Sequence, residues 1–403
     1  MSTKKSNNIQ MWLVQYGFTL KDVEIPKDMS GLRAKTDIYV GTCVCQIPKE
    51  CLITIELAKE SDIGKEILTK KVPISSAHEN HIFIACFILQ ELKRGKQSEW
   101  HHYIETLPKE FREIPLFWNK RFLNDNLKGS IAFDSIERRI EELTASYLVL
   151  CQFIEGFANK YTLREFMWAR CVVVTRIFGL HISWFKTSAL VPFADLVDHG
   201  ERNLSWTFND DTKCFEMCAL KNIKKGEYFY ITYGVKCNSR FFVNYGFVRP
   251  NNAHNEARFV FKNEFTQISE IFLMSKLYDN VSTKECFSFL RTGKREAGQY
   301  TPISIENEII ILKRIKESAT YGLTLFNNSL EQDRKLLKDT KKYPIFSNKR
   351  NAILMRKGEK EVLQYWFDLC ETLIVILNIS PNDVLYLDIN SFKDGEYVHC
   401  LQR

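Results

Sequence analysis

Residues 189–258 constrain the fold of this 403-residue chain more than any other stretch. Two apolar runs within them end in polar side chains. Leu190 to Phe193 leads into Asp195, Asp198 and His199, and Phe229 to Thr232 leads into Tyr233, Gly234, Lys236 and Asn238. Strand ends that deliver polar residues are where a rigid scaffold presents chemistry. The residues between the two runs read as a hairpin, and a late aromatic group, Asn244, Tyr245, Gly246 and Phe247, follows the second.

The length allows two domains, or one domain with a sizeable appendage. Hydrophobic residues at 45% and charged residues at 26% are those of a globular protein. The longest clean apolar run, residues 82–89, falls far short of the ~20 residues that cross a bilayer. No basic-then-apolar leader precedes a small-residue cleavage site in residues 1–20. An intracellular protein of cytoplasm or nucleus, without a membrane partner, is the expectation.

Cys43 and Cys45 are separated by one residue and Cys214 and Cys218 by three, and the rest of the twelve cysteines are scattered without a C-x-x-C repeat. This spacing favours ordinary buried thiols in a reducing compartment, with no metal expected. The adjacent His101 and His102 are expected to diverge on a helix and to hold no metal either. The formal charge of +7 is concentrated in residues 291–360, which carry 16 Lys and Arg against 8 Asp and Glu. These charges lie along helix-like segments without interleaved aromatic stacking partners, so a solvated surface is expected and nucleic acid is not a partner.

Along the chain, residues 31–54 alternate in strand fashion and residues 57–164 read as mostly helical, with residues 81–92 apolar on nearly every side. Residues 161–180 open on an N-cap at Thr162, run as an apolar helix and end near Arg176 and Phe178. An arginine following so apolar a run needs an anionic partner if buried. Residues 263–279 and 304–326 show helical spacing of Ile, Leu and Phe.

The residues Ala194, Asp195, Asp198 and His199, followed by Tyr233, Gly234 and Asn238 and by the NYGF group, resemble the SET-domain methyltransferases. The branch they resemble is that of the Rubisco large-subunit lysine methyltransferase and the actin-histidine methyltransferase. The resemblance covers roughly residues 10–366 and implies an α+β fold. Its β-rich SET domain, residues 10–260, carries a pseudoknot and a helical insertion at about 57–164. An all-α substrate-binding domain, residues 261–366, follows, signalled by Arg350, Ala352, Arg356, Gly358, Glu359, Lys360 and Leu363. An extension of unassigned role, residues 367–403, completes the chain.

The implied cofactor is S-adenosyl-L-methionine and the implied partner a protein whose lysine side chain is methylated, with the enzyme a monomer. The resemblance assigns cofactor contacts to Gly31, Leu32, Arg33, Arg176, Asp195, Asp198, His199, Tyr233 and Phe247. It assigns substrate contacts to Phe178, Ala194 and Tyr245, and catalysis to Tyr233. Two positions depart from the family pattern: Met29 stands where the first glycine of a Gly-x-Gly turn is usual, and Asp198 where Asn precedes the histidine. Asp offers only acceptors when ionised, whereas Asn offers a donor as well. Phe178 and Ala194 favour an apolar channel for a lysine stem. A histidine methyltransferase of the same fold and a catalytically silent SET module that binds a partner remain as alternatives. In-line methyl transfer rests on positioning and electrostatics, together worth roughly 7 to 11 kcal/mol in good geometry.

Overall fold

The computed structural model describes residues 2–26, 31–75, 79–262, 269–277, 280–294 and 304–379. Two compact units form. The first comprises residues 1–117, 136–235 and 243–245, and the second residues 118–135, 236–242 and 246–403. Residues 118–135, expected within the insertion of the SET domain, thus fall in the second unit. Met29 and residues 380–403 lie outside the described residues.

The first unit combines helices with many short strands. Thr19–Leu20, Cys43–Pro48, Cys214–Ala219 and Leu204–Asn209 form an antiparallel sheet in that order. Ile53–Thr54, Phe185–Leu190 and Ile177–Ile182 form a second antiparallel sheet. The helix Glu79–Arg94 is apolar on most sides because it is buried on most sides, with Ile84, Ala85, Ile88 and Leu89 fully enclosed. The helix Leu163–Arg176 starts where its sequence says it should. Thr162 Oγ1 accepts the Glu165 N–H, and Glu165 accepts the Thr162 N–H in return.

The short helix His101–Ile104 corrects one expectation. His101 and His102 keep their rings 5.4 Å apart, and their ligand atoms lie within 4.8 Å of each other and of a Glu105 oxygen. These residues rim a cavity of about 870 Å³, also lined by Leu92, Phe111, Arg164 and Trp168. None of the site residues named from sequence lines that cavity.

The second unit is mainly helical. Val281–Thr292, Ile305–Thr324, Leu330–Lys338 and Asn348–Asn378 pack with Phe259, Phe272, Ile315 and Trp366 at their core. Residues 263–279 were expected to be helical. Instead, Ser269–Ser275 is a strand that pairs antiparallel with Glu256–Lys262 and buries Phe272 and Met274. A contiguous apolar run fits either period, and here tertiary pairing decides. The last helix runs to Asn378, so the described part of the extension continues it.

The residues that signalled this unit in the sequence hold it together. Fully buried Asp333 accepts from Arg356 and Lys360, which also donate to the Asn126 and Asn328 carbonyls. Arg350 binds the Leu337 and Tyr343 carbonyls, and Glu359 accepts the Ile131 N–H. A Cβ on Gly358 would stand 2.3 Å from Asn255 Nδ2. Loss of Asp333 would strand two buried cations, a cost of about 3–5 kcal/mol. Part of the basic excess is therefore internal, and Arg291 is likewise paired with Glu308 at 2.7 and 2.8 Å.

Candidate active site

Three segments distant in sequence converge in the first unit. The strand Asp198–His199 pairs parallel with Tyr230–Ile231, Tyr230 opposite Asp198 and Ile231 opposite His199. Gly200 N–H donates to the Ile231 carbonyl at 3.1 Å, and Asn203 N–H to that of Tyr230 at 3.0 Å. The Asn203 side chain accepts from Tyr230 N–H at 2.8 Å and donates to the Tyr228 carbonyl at 2.9 Å. On the other side, Arg33 bridges antiparallel to Tyr228, and Phe229 N–H donates to the Leu32 carbonyl at 2.9 Å. A parallel pair needs a crossover connection. Here the hairpin of Leu204–Asn209 and Cys214–Ala219 lies within that connection.

Tyr233 emerges from the end of this arrangement. Its N–H donates to His199 Nδ1 at 3.0 Å, and its hydroxyl donates to the Val197 carbonyl at 3.3 Å. The ring lies between His199, 5.0 Å away, and Tyr245, stacked at 4.9 Å with planes 28° apart. Burial raises the Tyr233 phenol well above its ordinary value, and the Asp198 carboxylate adds to this while Arg176 opposes it. Burial thus favours the protonated phenol, whose hydroxyl is held on the Val197 carbonyl.

The turn that supplies the Val197 carbonyl is clamped from behind. Asp195 Oδ2 accepts from Arg176 Nη1 at 3.2 Å and from the Tyr103 hydroxyl at 3.0 Å, and Arg176 Nη1 also reaches the Asp195 carbonyl at 3.0 Å. Burial pushes both the Asp195 carboxyl and the Tyr103 phenol up, and Arg176 opposes the shift in each. Arg176 thus finds its anion in Asp195, the structural partner, while its Nε remains buried without a hydrogen bond. Ahead of the turn, Phe193 sits at φ 77, ψ −46, close to a rare and strained three-residue turn. It is held there by full burial and an edge-on contact with Phe18.

Gly31 brings bare backbone to the other side. At φ +79 it suits glycine, and a Cβ there would stand 3.0 Å from Asp198 Oδ2 and 3.3 Å from the Tyr228 ring. Arg33 lies over that ring at 4.4 Å and donates to the Tyr228 hydroxyl, and its Nε is buried without a hydrogen bond. Asp198 is exposed as a residue, yet local desolvation raises its carboxyl and Arg176 partly offsets this.

Gly31, Leu32, Arg33, Arg176, Asp195, Asp198, His199, Tyr233 and Tyr245 all belong to the first unit. Phe178 is packed edge-on against Trp206 and Phe215, and Ala194 is fully buried in the short turn 194–196. Phe247 stacks on Phe241 inside the second unit, just past the helix Asn238–Tyr245 that Gly246 terminates in the left-handed region. The late aromatic group thus spans the end of a helix and its C-cap. Tyr103, Tyr228 and Asn203 were missed from sequence; only the Tyr103 hydroxyl meeting Asp195 across 92 positions of chain marks it out.

This geometry defines a site built on interlocked chain segments. Residues 30–234 match the SET domain and residues 261–363 the Rubisco LSMT substrate-binding domain, and the chain belongs to the SET-domain family. The fold is that of two solved structures. "Crystal structure of the SET domain of LSMT bound to Lysine and AdoHcy" aligns with a TM-score of 0.74 at 20% identity over 99% of each chain. "Structure of Rubisco LSMT bound to AdoMet" aligns at 0.70 and 21%, over 98% of this chain and 99% of that one. Actin-histidine N-methyltransferase of Homo sapiens is 25% identical over 407 residues, 89% of this chain and 67% of the relative. SET domain-containing protein 4 of Mus musculus is 27% identical over 264 residues, 61% of this chain and 59% of the relative.

Proposed function

We propose that this chain is an S-adenosyl-L-methionine-dependent protein N-methyltransferase that modifies a lysine of a non-histone protein. The observation that carries the reading is the parallel pairing of Asp198–His199 with Tyr230–Ile231, which delivers Tyr233 between His199 and Tyr245. The residues fit the cofactor. Buried Arg33 Nε and Arg176 Nε each lack a hydrogen bond and suit a carboxylate, Gly31 admits a ligand against the backbone, and the Asp198 carboxylate suits a cation.

When bound, S-adenosyl-L-methionine supplies a methyl group on a positively charged sulfur. With its one proton given to the Val197 carbonyl, the Tyr233 hydroxyl oxygen would accept an N–H of the acceptor amine and so leave the amine lone pair aimed at the methyl, and Tyr245 would form a wall that keeps water away. Asp195, clamped by Arg176 and Tyr103, would fix the Val197 carbonyl that positions this hydroxyl. The helical second unit, matched to a substrate-binding domain, would seat the target protein. Lysine is preferred because Phe178 and Ala194 offer no amide to fix an imidazole tautomer.

The actin-histidine relatives, aligned over 89% of this chain, support a histidine acceptor as the second reading. Incubating the full chain with isotopically labelled S-adenosyl-L-methionine and cell extract, then sequencing the labelled peptides by mass spectrometry, separates the two. Label on lysine supports the proposal, label on histidine selects the second reading, and label on neither removes both.

A further inference from the structure

A second cluster of ligating side chains occupies the outer face of the four-stranded sheet. Along Cys214–Ala219 burial alternates, so Cys214, Glu216 and Cys218 share the half-buried face while Phe215, Met217 and Ala219 point into the core. The register against Cys43–Pro48 pairs Met217 with Cys45 but Cys218 with Cys43, skipping Val44. Without that bulge Cys43 would alternate onto the inner face; the extra residue re-aims it outward, opposite Cys218. The Cys43 and Cys218 sulfurs and a Glu216 oxygen then lie within 4.8 Å of one another.

Glu216 is held for this purpose. Its Oε1 accepts from Gln46 Nε2 at 3.0 Å, Asn209 Nδ2 at 3.2 Å and Thr212 Oγ1 at 3.0 Å. Three donors, Gln46 from one strand and Asn209 and Thr212 from the adjoining hairpin, hold Oε1 and orient the carboxylate, which leaves Oε2 for a ligand. Outer contacts of this kind orient metal ligands. Both thiols are partly accessible, so an ion can reach them.

We propose that Cys43, Cys218 and Glu216 bind a thiophilic divalent cation, Zn²⁺ foremost, with water in the fourth position. Two thiolates at about 2.3 Å and one carboxylate oxygen at about 2.0–2.2 Å make a three-ligand zinc set with an open site. Each thiol releases its proton to water on binding. The bound ion would tie Cys43–Pro48 to Cys214–Ala219 across the bulge, and it shares no residue with the Tyr233 site.

The test uses the reduced, chelator-treated full chain. Zn²⁺ should slow alkylation of Cys43 and Cys218 at least tenfold, read peptide by peptide by mass spectrometry, while half-buried Cys151 and Cys214 react at unchanged rates. Co²⁺ should produce a thiolate-to-metal absorption band that Cys43→Ser and Cys218→Ser each abolish and Cys214→Ser retains. Equal alkylation with and without Zn²⁺, or a cobalt band that survives both Cys43→Ser and Cys218→Ser, would overturn the proposal. The alkylation arm uses the unsubstituted chain, so misfolding of a variant cannot decide the outcome.

Discussion

The Tyr233 N–H donates to His199 Nδ1 across 3.0 Å, joining residues 34 positions apart just beyond the parallel pairing of Asp198–His199 with Tyr230–Ile231. The bond requires a lone pair on Nδ1 and therefore a ring unprotonated at that atom. One histidine thus links the two interlocked segments and sets where the catalytic candidate leaves the sheet.

Removing that acceptor should cost ligand affinity. His199→Ala leaves the Tyr233 N–H without its partner, and an unsatisfied buried donor costs about 1–3 kcal/mol. Calorimetry with S-adenosylhomocysteine should show weakening of roughly ten- to hundredfold. Affinity within twofold of the unsubstituted chain would mean that the His199–Tyr233 bond does not shape the pocket.

Tyr103 acts at one remove, through Asp195. Tyr103→Phe deletes one of the two side-chain donors on a buried carboxylate and should lower stability by about 1–2 kcal/mol. Turnover should drop several-fold with the apparent KM for cofactor little changed, because the Val197 carbonyl loses its fixed position while Gly31 and Arg33 stay in place. A variant equally destabilised but fully active would reduce Tyr103 to packing.

Glu359 makes the second unit pH-sensitive. Burial raises its carboxyl to about 8 from an ordinary 4.5, opposed by the Ile131 N–H and Arg258. A raised folded-state value means that the contribution to stability is complete below the unfolded value and is lost as pH climbs through the folded one. The denaturant midpoint should fall between about pH 5 and pH 8. Glu359→Gln, which keeps an acceptor for Ile131, should flatten this slope and gain on the order of 2–4 kcal/mol relative to the parent at the upper end. Parallel pH profiles for the two proteins would contradict this origin.

The core of the site was readable because its parts are short and contiguous. Asp195, Asp198 and His199 follow one apolar run and Tyr233 another, and a helix start such as Thr162 with Glu165 is a local signal. What escaped depends on distance or on ambiguous period. Tyr103 meets Asp195 from another element, and nothing near residue 103 announces it. The aromatic run Phe241 to Phe247 carried no secondary-structure assignment, and the structure makes residues 238–245 a helix capped by Gly246. Cys43 and Cys218 looked unrelated because a bulge, invisible to spacing rules, places them face to face.

The account rests most directly on the Tyr233 hydroxyl. Label transfer from S-adenosyl-L-methionine to protein should be compared for the unsubstituted chain and Tyr233→Phe, with cofactor affinity measured on the same samples. A loss of about 10² to 10⁴ in rate with affinity within roughly twofold is the predicted result for a group that acts in the transition state. Equal rates for the two proteins would contradict it.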